Sequence, residues 1–324
     1  VTPITQVTEW HAVDRRRFEQ EIVLRHLPGV LRGVVAHWPA VQLATTGEPA
    51  AADATLARWL SAMDNGHPVD ALLLHPRYRG RIHYGDGFAQ GQPGFNFLRN
   101  QVPISQVIEQ LLRYAQFTDP PAVAVQSALA ADCLPGFSAG HPMPLLDESV
   151  APRVWLGNAI VTPTHFDESA NIACVVAGER RFTLFPPEQV GNLYVGPLHH
   201  APTGTPVSLP DPDAPDLDRF PRYARALQAA QQAVLGPGDA LYIPPLWWHH
   251  VASRKPLNLL VNYWWRGRPG ASGIEALMLA RQTFGPMPSA ERRAWQALLA
   301  HWVFDADEQT QAHLPPALRD EGFG

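Results

Sequence analysis

The 324-residue sequence predicts a mainly β protein, an antiparallel sandwich or barrel with an N-terminal α/β flank and C-terminal helices. Three observations predict it. From about residue 153, short β-like runs follow one another with turn residues between them: "RVWLGN", "IVTPTHFD", "NIACVVAG", "RRFTLFPP", "DALYIPP", "WWHHVAS" and "LNLLVNYWW". The 33 prolines and 24 glycines are spread along the chain, as in a turn-rich β protein. Amphipathic patterns, with apolar residues three and four apart, lie mainly before and after this block.

Residues 14–26, "DRRRFEQEIVLRH", read as a helix with Asp14 as its N-cap. "GVLRGVV" (29–35) reads as a strand, and 53–63 and 104–116 as amphipathic helices. Between the two helices, the Gly-rich and aromatic stretch 80–97 reads as loop with short strand. "AVAVQSA" (122–128) is a strand candidate. The β series from 153 is broken by residues 196–236, a Pro- and Asp-rich loop followed by the helix-like "RYARALQAAQQAV". This is expected to be an insertion, and long loops inside compact domains are often functional. The tail, 271–317, carries "SGIEALMLARQTF" and "SAERRAWQALLAHWVF", each opening on a Ser placed as an N-cap. The expected organisation is a flank at 1–150, a β core at 151–268 containing the insertion, and a helical segment at 269–324 that builds a homodimer.

Composition narrows the function classes. A formal net charge of -5 argues against a nucleic-acid or membrane-surface binder. No apolar run approaches the ~18–20 residues of a membrane span, and the N-terminal residues lack a signal-peptide pattern. Cys133 and Cys174 form neither a disulfide framework nor a zinc pattern, so a reducing, cytoplasmic setting is expected.

The chemistry concentrates in two runs. In "TPTHFDESAN", His165 and Asp167 are two apart, so on a strand both face one side. A His and a carboxylate converging this way are two members of a 2-His-1-carboxylate set, which leaves coordination positions open for oxygen chemistry. An isolated H-x-D triplet is weak, because such triplets arise by chance. "LGPGDALYIPPLWWHHV" offers a third ligand from another strand, either His249 or His250. Strand alternation forbids the two from sharing a role and does not choose between them. On the strand "RRFTLF", alternation groups Arg180 with Phe182 and Leu184. An arginine on an apolar face needs a buried anion.

Together, "TPTHFDESANIACVVAGERRFTLFPPEQ", "GPGDALYIPPLWWHHV" and "LNLLVNYWW" resemble the JmjC, cupin-like Fe(II)- and 2-oxoglutarate-dependent oxygenases. Within them they are most similar to the branch containing the factor-inhibiting-HIF asparaginyl hydroxylase. "LPGVLRGVVAHWPA" and "GFNF" extend the likeness toward the N-terminus. The resemblance implies a double-stranded β-helix, or jelly roll, with His165, Asp167 and His249 as ligands of Fe(II). It implies that Arg180 and Thr162 hold the far carboxylate of 2-oxoglutarate, with Asn171 and Asn262 near the metal-bound end. Tyr84 and Asp86 resemble residues at the pocket mouth, Gln126 matches a family position, and Trp247 and Trp264 are expected to line the site, with Trp248 joining Trp247 as its wall. One departure stands out: Ala124 occupies a place where a relative carries a co-substrate-binding Tyr. His199 and His200, in the insertion, are expected to be solvated or loop-packed.

These features predict an oxygenase that consumes 2-oxoglutarate and O2 and hydroxylates a C–H bond, with a protein or peptide side chain as the first expectation. A small-metabolite hydroxylase, a non-catalytic metal-binding sensor and, more weakly, a metal-dependent isomerase or hydrolase are the alternatives.

Overall fold

A computed structural model describes residues 4–266 and 272–319. The chain divides into two compact units, Val1–Gly267 and Arg268–Gly324. The boundary expected between 268 and 269 lies outside the described residues.

The first unit is built from strands β1 (Thr5–Gln6), β2 (Glu9–His11), β3 (Gly29–Arg32), β4 (Pro68–Leu74), β5 (Phe97–Pro103), β6 (Ala122–Leu129), β7 (Pro152–Gly157), β8 (Val161–His165), β9 (Ala170–Ala177), β10 (Arg180–Phe185), β11 (Gln231–Leu235), β12 (Ala240–Ile243), β13 (Trp248–Ser253) and β14 (Asn258–Trp265). They form a five-stranded sheet in the order β1-β11-β10-β13-β8 and a nine-stranded sheet in the order β2-β3-β12-β9-β14-β7-β6-β4-β5. Strands β7 to β14 split evenly between the sheets, which is the jelly-roll arrangement. The N-terminal strands widen the second sheet on both edges.

Every residue of β9 is buried, because the nine-stranded sheet is covered on both faces. One face meets the other sheet through Val175, Phe182, Leu241, Trp247 and Leu260. The other face packs with Leu56 and Leu60 of the helix Pro49–Met63, and with Val107, Ile108 and Leu111 of the helix Ile104–Tyr114. Strands buried on both faces read as continuous apolar runs, and "NIACVVA" is one. The β9–β10 hairpin turns on Gly178, at φ +80°. A Cβ there would stand 2.2 Å from Asn258 Oδ1, which accepts a hydrogen bond from Glu179 N–H at 3.2 Å. Glycine at this point lets Arg180 open β10 in register with Ser253.

Several expectations need correcting. Asp14 caps its helix, accepting from Arg17 N–H at 2.7 Å, but the helix passes into a π turn at Phe18–Ile22 and a 3₁₀ turn at Val23–Arg25. The strand expected over 29–35 ends at Arg32, because Gly33, at φ +68°, turns the chain. Strands β4 and β5 were not expected. The helix in the insertion stops at Gln228, and Gln231–Leu235, read as helical, pairs with β10 as β11. The insertion therefore ends before 231, and "QQAVL" belongs to the barrel.

In the second unit, Ser272 caps the helix Gly273–Phe284, accepting from Glu275 N–H at 3.3 Å. Ser289 does not cap the next helix: it is the first residue of Ser289–Leu299, and Pro288 stands at the cap. Phe284 and Trp295 hold the two helices together, with ring centroids 5.0 Å apart. Among the described residues, no helix is long and apolar enough to cross a membrane.

Candidate metal centre

Strand register puts the two histidines on different faces. On β13, His249 lies directly opposite His165 of β8, whereas His250 takes the other face. β8 ends at His165, so Asp167 sits on the loop just beyond it. Ligand atoms of His165, Asp167 and His249 all fall within 4.8 Å of one another. The rings of His165 and His249 are 4.3 Å apart between centroids, and His249 Nε2 is 3.7 Å from Asp167 Oδ2.

Each imidazole is pinned by the carbonyl two residues before it. His165 Nδ1–H donates to Pro163 O at 2.8 Å, and His249 Nδ1–H to Trp247 O at 3.0 Å. A backbone acceptor on Nδ1 fixes the tautomer and leaves the Nε2 lone pair for an ion. Asp167 is held from two sides. The indole N–H of Trp264 donates to its Oδ2 at 3.1 Å, and its carbonyl accepts from Leu246 N–H at 2.8 Å. Leu246 is turned at φ +66°, a conformation uncommon for a residue other than glycine. This turn carries the chain from β12 into the histidine strand.

The trio opens into a cleft between the sheets. Thr162, Asn171, Arg180, Asn262, Gln126 and Trp264 line it. Phe182, Ile243, Val251 and Leu260 make the apolar walls. Arg180 is 8% exposed and its Nε has no hydrogen-bond partner. Burial pulls its guanidinium down to about 10, which leaves it charged at neutral pH. A buried, uncompensated cation is costly, so this side chain is shaped to receive an anion. Asn262 bridges the wall: its Oδ1 accepts from the Trp155 indole at 2.9 Å, and its amide donates to Asn171 Oδ1 at 3.4 Å. Gln126 precedes a bulge at Ser127, where the β6–β7 register shifts.

Other expected site residues lie elsewhere. Tyr84 is buried against Phe88 and donates to His200 O at 2.9 Å. Asp86 is exposed and paired with Arg77 at 2.9 Å. Neither lines the cleft, because the 80–97 loop packs on the insertion. Trp247 belongs to the core behind Phe182 and Leu260, its indole donating to His26 O at 3.0 Å. Trp248 packs against Phe166 on the opposite face. The dry wall comes from Trp155 and Trp264 instead. Thr203, from the insertion, also reaches the cleft and was not foreseen. Trp155 was legible as the inward residue of "RVWLG", two before Gly157; Thr203 left no periodic signal.

His250 faces a second cluster with Asp211 and Asp213. That cluster already carries cations: Arg81 pairs with Asp211, and Arg181 with Asp213. His250 Nε2 stands 3.9 Å from Asp211 Oδ1. His200 stacks on Phe95 at 4.7 Å, in line with a loop-packing role.

Burial pushes His165 down to about 4, helped by the neighbouring His249, and burial likewise pushes His250 down to about 4. His141 and His83 are also lowered, mainly by burial. In His141 a contact acts in the same direction: its Nε2 accepts from Ala40 N–H at 3.1 Å, which a proton there would abolish. In the unfolded chain, histidines take up protons near ~6.5. Stability is thus full above that pH and falls as pH drops from ~6.5 toward 4, because the unfolded state binds more protons. Guanidinium midpoints of the metal-free protein should decline across that window; a flat profile from pH 7 to 5 would show these groups do not govern it.

The model of the cupin-like domain family matches residues 15–271, which takes in β3 to β14. The chain belongs to this family. A plant protein from Arabidopsis thaliana, "Lysine-specific demethylase JMJ31", is 35% identical over 114 residues, 35% of this chain and 20% of its own length. The Drosophila melanogaster "Jumonji C domain-containing protein 5" is 32% identical over 276 residues, 81% of this chain and 62% of that protein. The human "Bifunctional peptidase and (3S)-lysyl hydroxylase JMJD7" is 27% identical over 276 residues, 76% of this chain and 80% of the human one. The chain thus spans less than two thirds of the plant and fly relatives. Within the cupin-like domain, the donor trio and Arg180 line one cleft between the two sheets.

Proposed function

We propose that the chain is an Fe(II)- and 2-oxoglutarate-dependent oxygenase that hydroxylates a protein or peptide side chain. The observation that carries this reading is a buried, anion-seeking Arg180 in one cleft with a His–Asp–His trio. The donor chemistry fits Fe(II): two imidazoles and one carboxylate occupy one face of an octahedral ion and leave the rest open. When bound, Fe(II) and 2-oxoglutarate supply oxidative decarboxylation to succinate and CO2, coupled to insertion of oxygen from O2 into a C–H bond.

The chain's own residues supply the rest. His165 and His249 hold the ion through Nε2, with Asp167 as the anionic ligand. Trp264 keeps that carboxylate from rotating away. Arg180 receives the far carboxylate of the co-substrate as a planar fork, with the Thr162 hydroxyl beside it. Asn171 and Asn262 present a linked amide pair on the wall. Phe182, Ile243, Val251 and Leu260 exclude water, which strengthens each polar contact inside.

The names of the human and plant relatives, a lysyl hydroxylase and a lysine-specific demethylase, support a protein substrate. Succinate formation with Fe(II), 2-oxoglutarate and oxygen tests the activity. A mass-spectrometric screen of lysate, wild type against His165→Ala, tests the substrate: a peptide gaining one oxygen only with wild type is expected. Ala124, small where a relative carries a Tyr, favours a second reading as a metal-bound sensor, which predicts ligand binding with no succinate.

We also propose a homodimer built by the C-terminal unit, in a reducing compartment. Trp295, Leu298, Trp302, Val303 and Phe304 are 40–77% exposed on consecutive turns, a large apolar load for open water. Cys133 and Cys174 are both free and buried. Light scattering at micromolar concentration should give twice the chain mass, and Trp302→Asp should return it to the mass of one chain.

A further inference from the structure

Behind Arg180 the cleft does not end. A further small hollow, with room for about one water, adjoins it. The two spaces share Gln126, Trp155, Thr162 and Arg180 as walls. The donor trio lines only the first; Ala124, Gly157 and Ser253 line only the second.

The register explains the space. Ala124 of β6 lies directly opposite Gly157 of β7, so one methyl is all that this pair extends from the nine-stranded sheet. Gly157 has no freedom to fill it, because a Cβ there would meet Val123 O at 2.5 Å. From the other sheet, Ser253 lies directly opposite Arg180, and cross-strand partners have Cβ atoms about 4.5–5.5 Å apart. Asn158 is committed, donating to Pro121 O at 2.9 Å and accepting from Val123 N–H at 3.0 Å. Ser253 and Thr162 therefore line the hollow together with Arg180, whose Nε is without a partner.

We infer that the co-substrate slot is longer than 2-oxoglutarate requires, and that it accepts a 2-oxo dicarboxylate with one more methylene. This rests on the reading of the cleft as a 2-oxo acid site. With 2-oxoglutarate bound, the hollow holds water against Ser253; with 2-oxoadipate, the terminal carboxylate moves toward Ser253 and displaces it. A closed slot rejects one extra methylene by about 10–200-fold. This one is expected to bind both acids within about threefold of each other, because the added methylene has apolar room beside Ala124 and Ile160.

Anaerobic calorimetry on the Fe(II)-loaded full chain, titrated with each acid, decides it. Comparable affinities support the inference, and Ala124→Leu should then cost 2-oxoadipate at least about tenfold relative to 2-oxoglutarate. Should Ala124→Leu not fold, Ser253→Ala serves instead, and should weaken 2-oxoadipate more than 2-oxoglutarate. Tight 2-oxoglutarate binding with 2-oxoadipate more than tenfold weaker in wild type overturns the long slot and leaves the oxygenase reading standing. A ratio unmoved by either substitution overturns it too. If neither acid binds, the oxygenase reading fails and the long slot with it.

Discussion

Arg180→Met is expected to abolish 2-oxoglutarate binding and, in the same protein, to raise the melting temperature. The two effects share one cause. The guanidinium is buried among Phe182, Trp155 and Val251 with its Nε unsatisfied. Burial alone pulls it down to about 10, so the fold bears a penalty for carrying the charged form. Replacing buried ionic groups by apolar ones of similar volume is often neutral or stabilising, by about 1–4 kcal/mol. Methionine fills the space and carries no charge to desolvate. The ligand loses a charge-assisted fork, and truncating one partner of a buried charged pair costs about 2–5 kcal/mol, which is roughly 30- to 5,000-fold in Kd. Calorimetry with Fe(II)-loaded protein and thermal melts of the ligand-free form read the two effects separately. A lower melting temperature with 2-oxoglutarate binding intact would make Arg180 a structural residue.

The second large effect separates two adjacent histidines. His249→Ala should leave a folded protein that has lost at least about a hundredfold in Fe(II) affinity, since two remaining donors no longer enclose the ion. His250→Ala should keep the metal and lose stability, by about 1–3 kcal/mol, because it empties a buried position on the other face of the strand. Metal content after dialysis and melting with and without Fe(II) give a two-by-two outcome. If His250→Ala loses the ion and His249→Ala keeps it, the ligand assignment is wrong.

Much of this site was legible because it lies on strands. Alternation put Arg180 with Phe182, and both line the cleft; the two-residue spacing put His165 and Asp167 on one side as if on one strand, whereas β8 ends at His165 and Asp167 reaches the cleft from the loop beyond it. Alternation could not order His249 and His250, because that requires knowing which strand lies opposite, a long-range pairing of residues 84 positions apart in "PTH" and "WHH". The failures share a different origin. Tyr84, Asp86 and Thr203 sit on loops, where side-chain direction follows from what the loop packs against. Trp247 was misplaced by one step: the Pro244–Trp247 turn, with Leu246 at positive φ, resets the facing of the strand that follows. "QQAVL" reads as helix by continuity with "RYARALQ", and only its pairing to β10 and β1 makes it a strand. The fold's core runs were strong signals; β4 and β5 were not, since β5 is exposed along most of its length.

The pinned imidazoles carry a consequence for metal supply. Both rings are held by Pro163 O and Trp247 O, so the donors stand in place before an ion arrives. A rigid nest of two neutral nitrogens and one carboxylate attracts divalent ions in the order of their intrinsic affinity, in which iron ranks below cobalt, nickel and copper. Nothing in the trio itself prefers iron. Chain purified from a cell rich in zinc or nickel would carry those ions and sit inert, fully folded and saturated. On the oxygenase reading, the fraction of working molecules is then set by the cell's traffic in iron, and a low specific activity would report that traffic before it reported any defect in the protein.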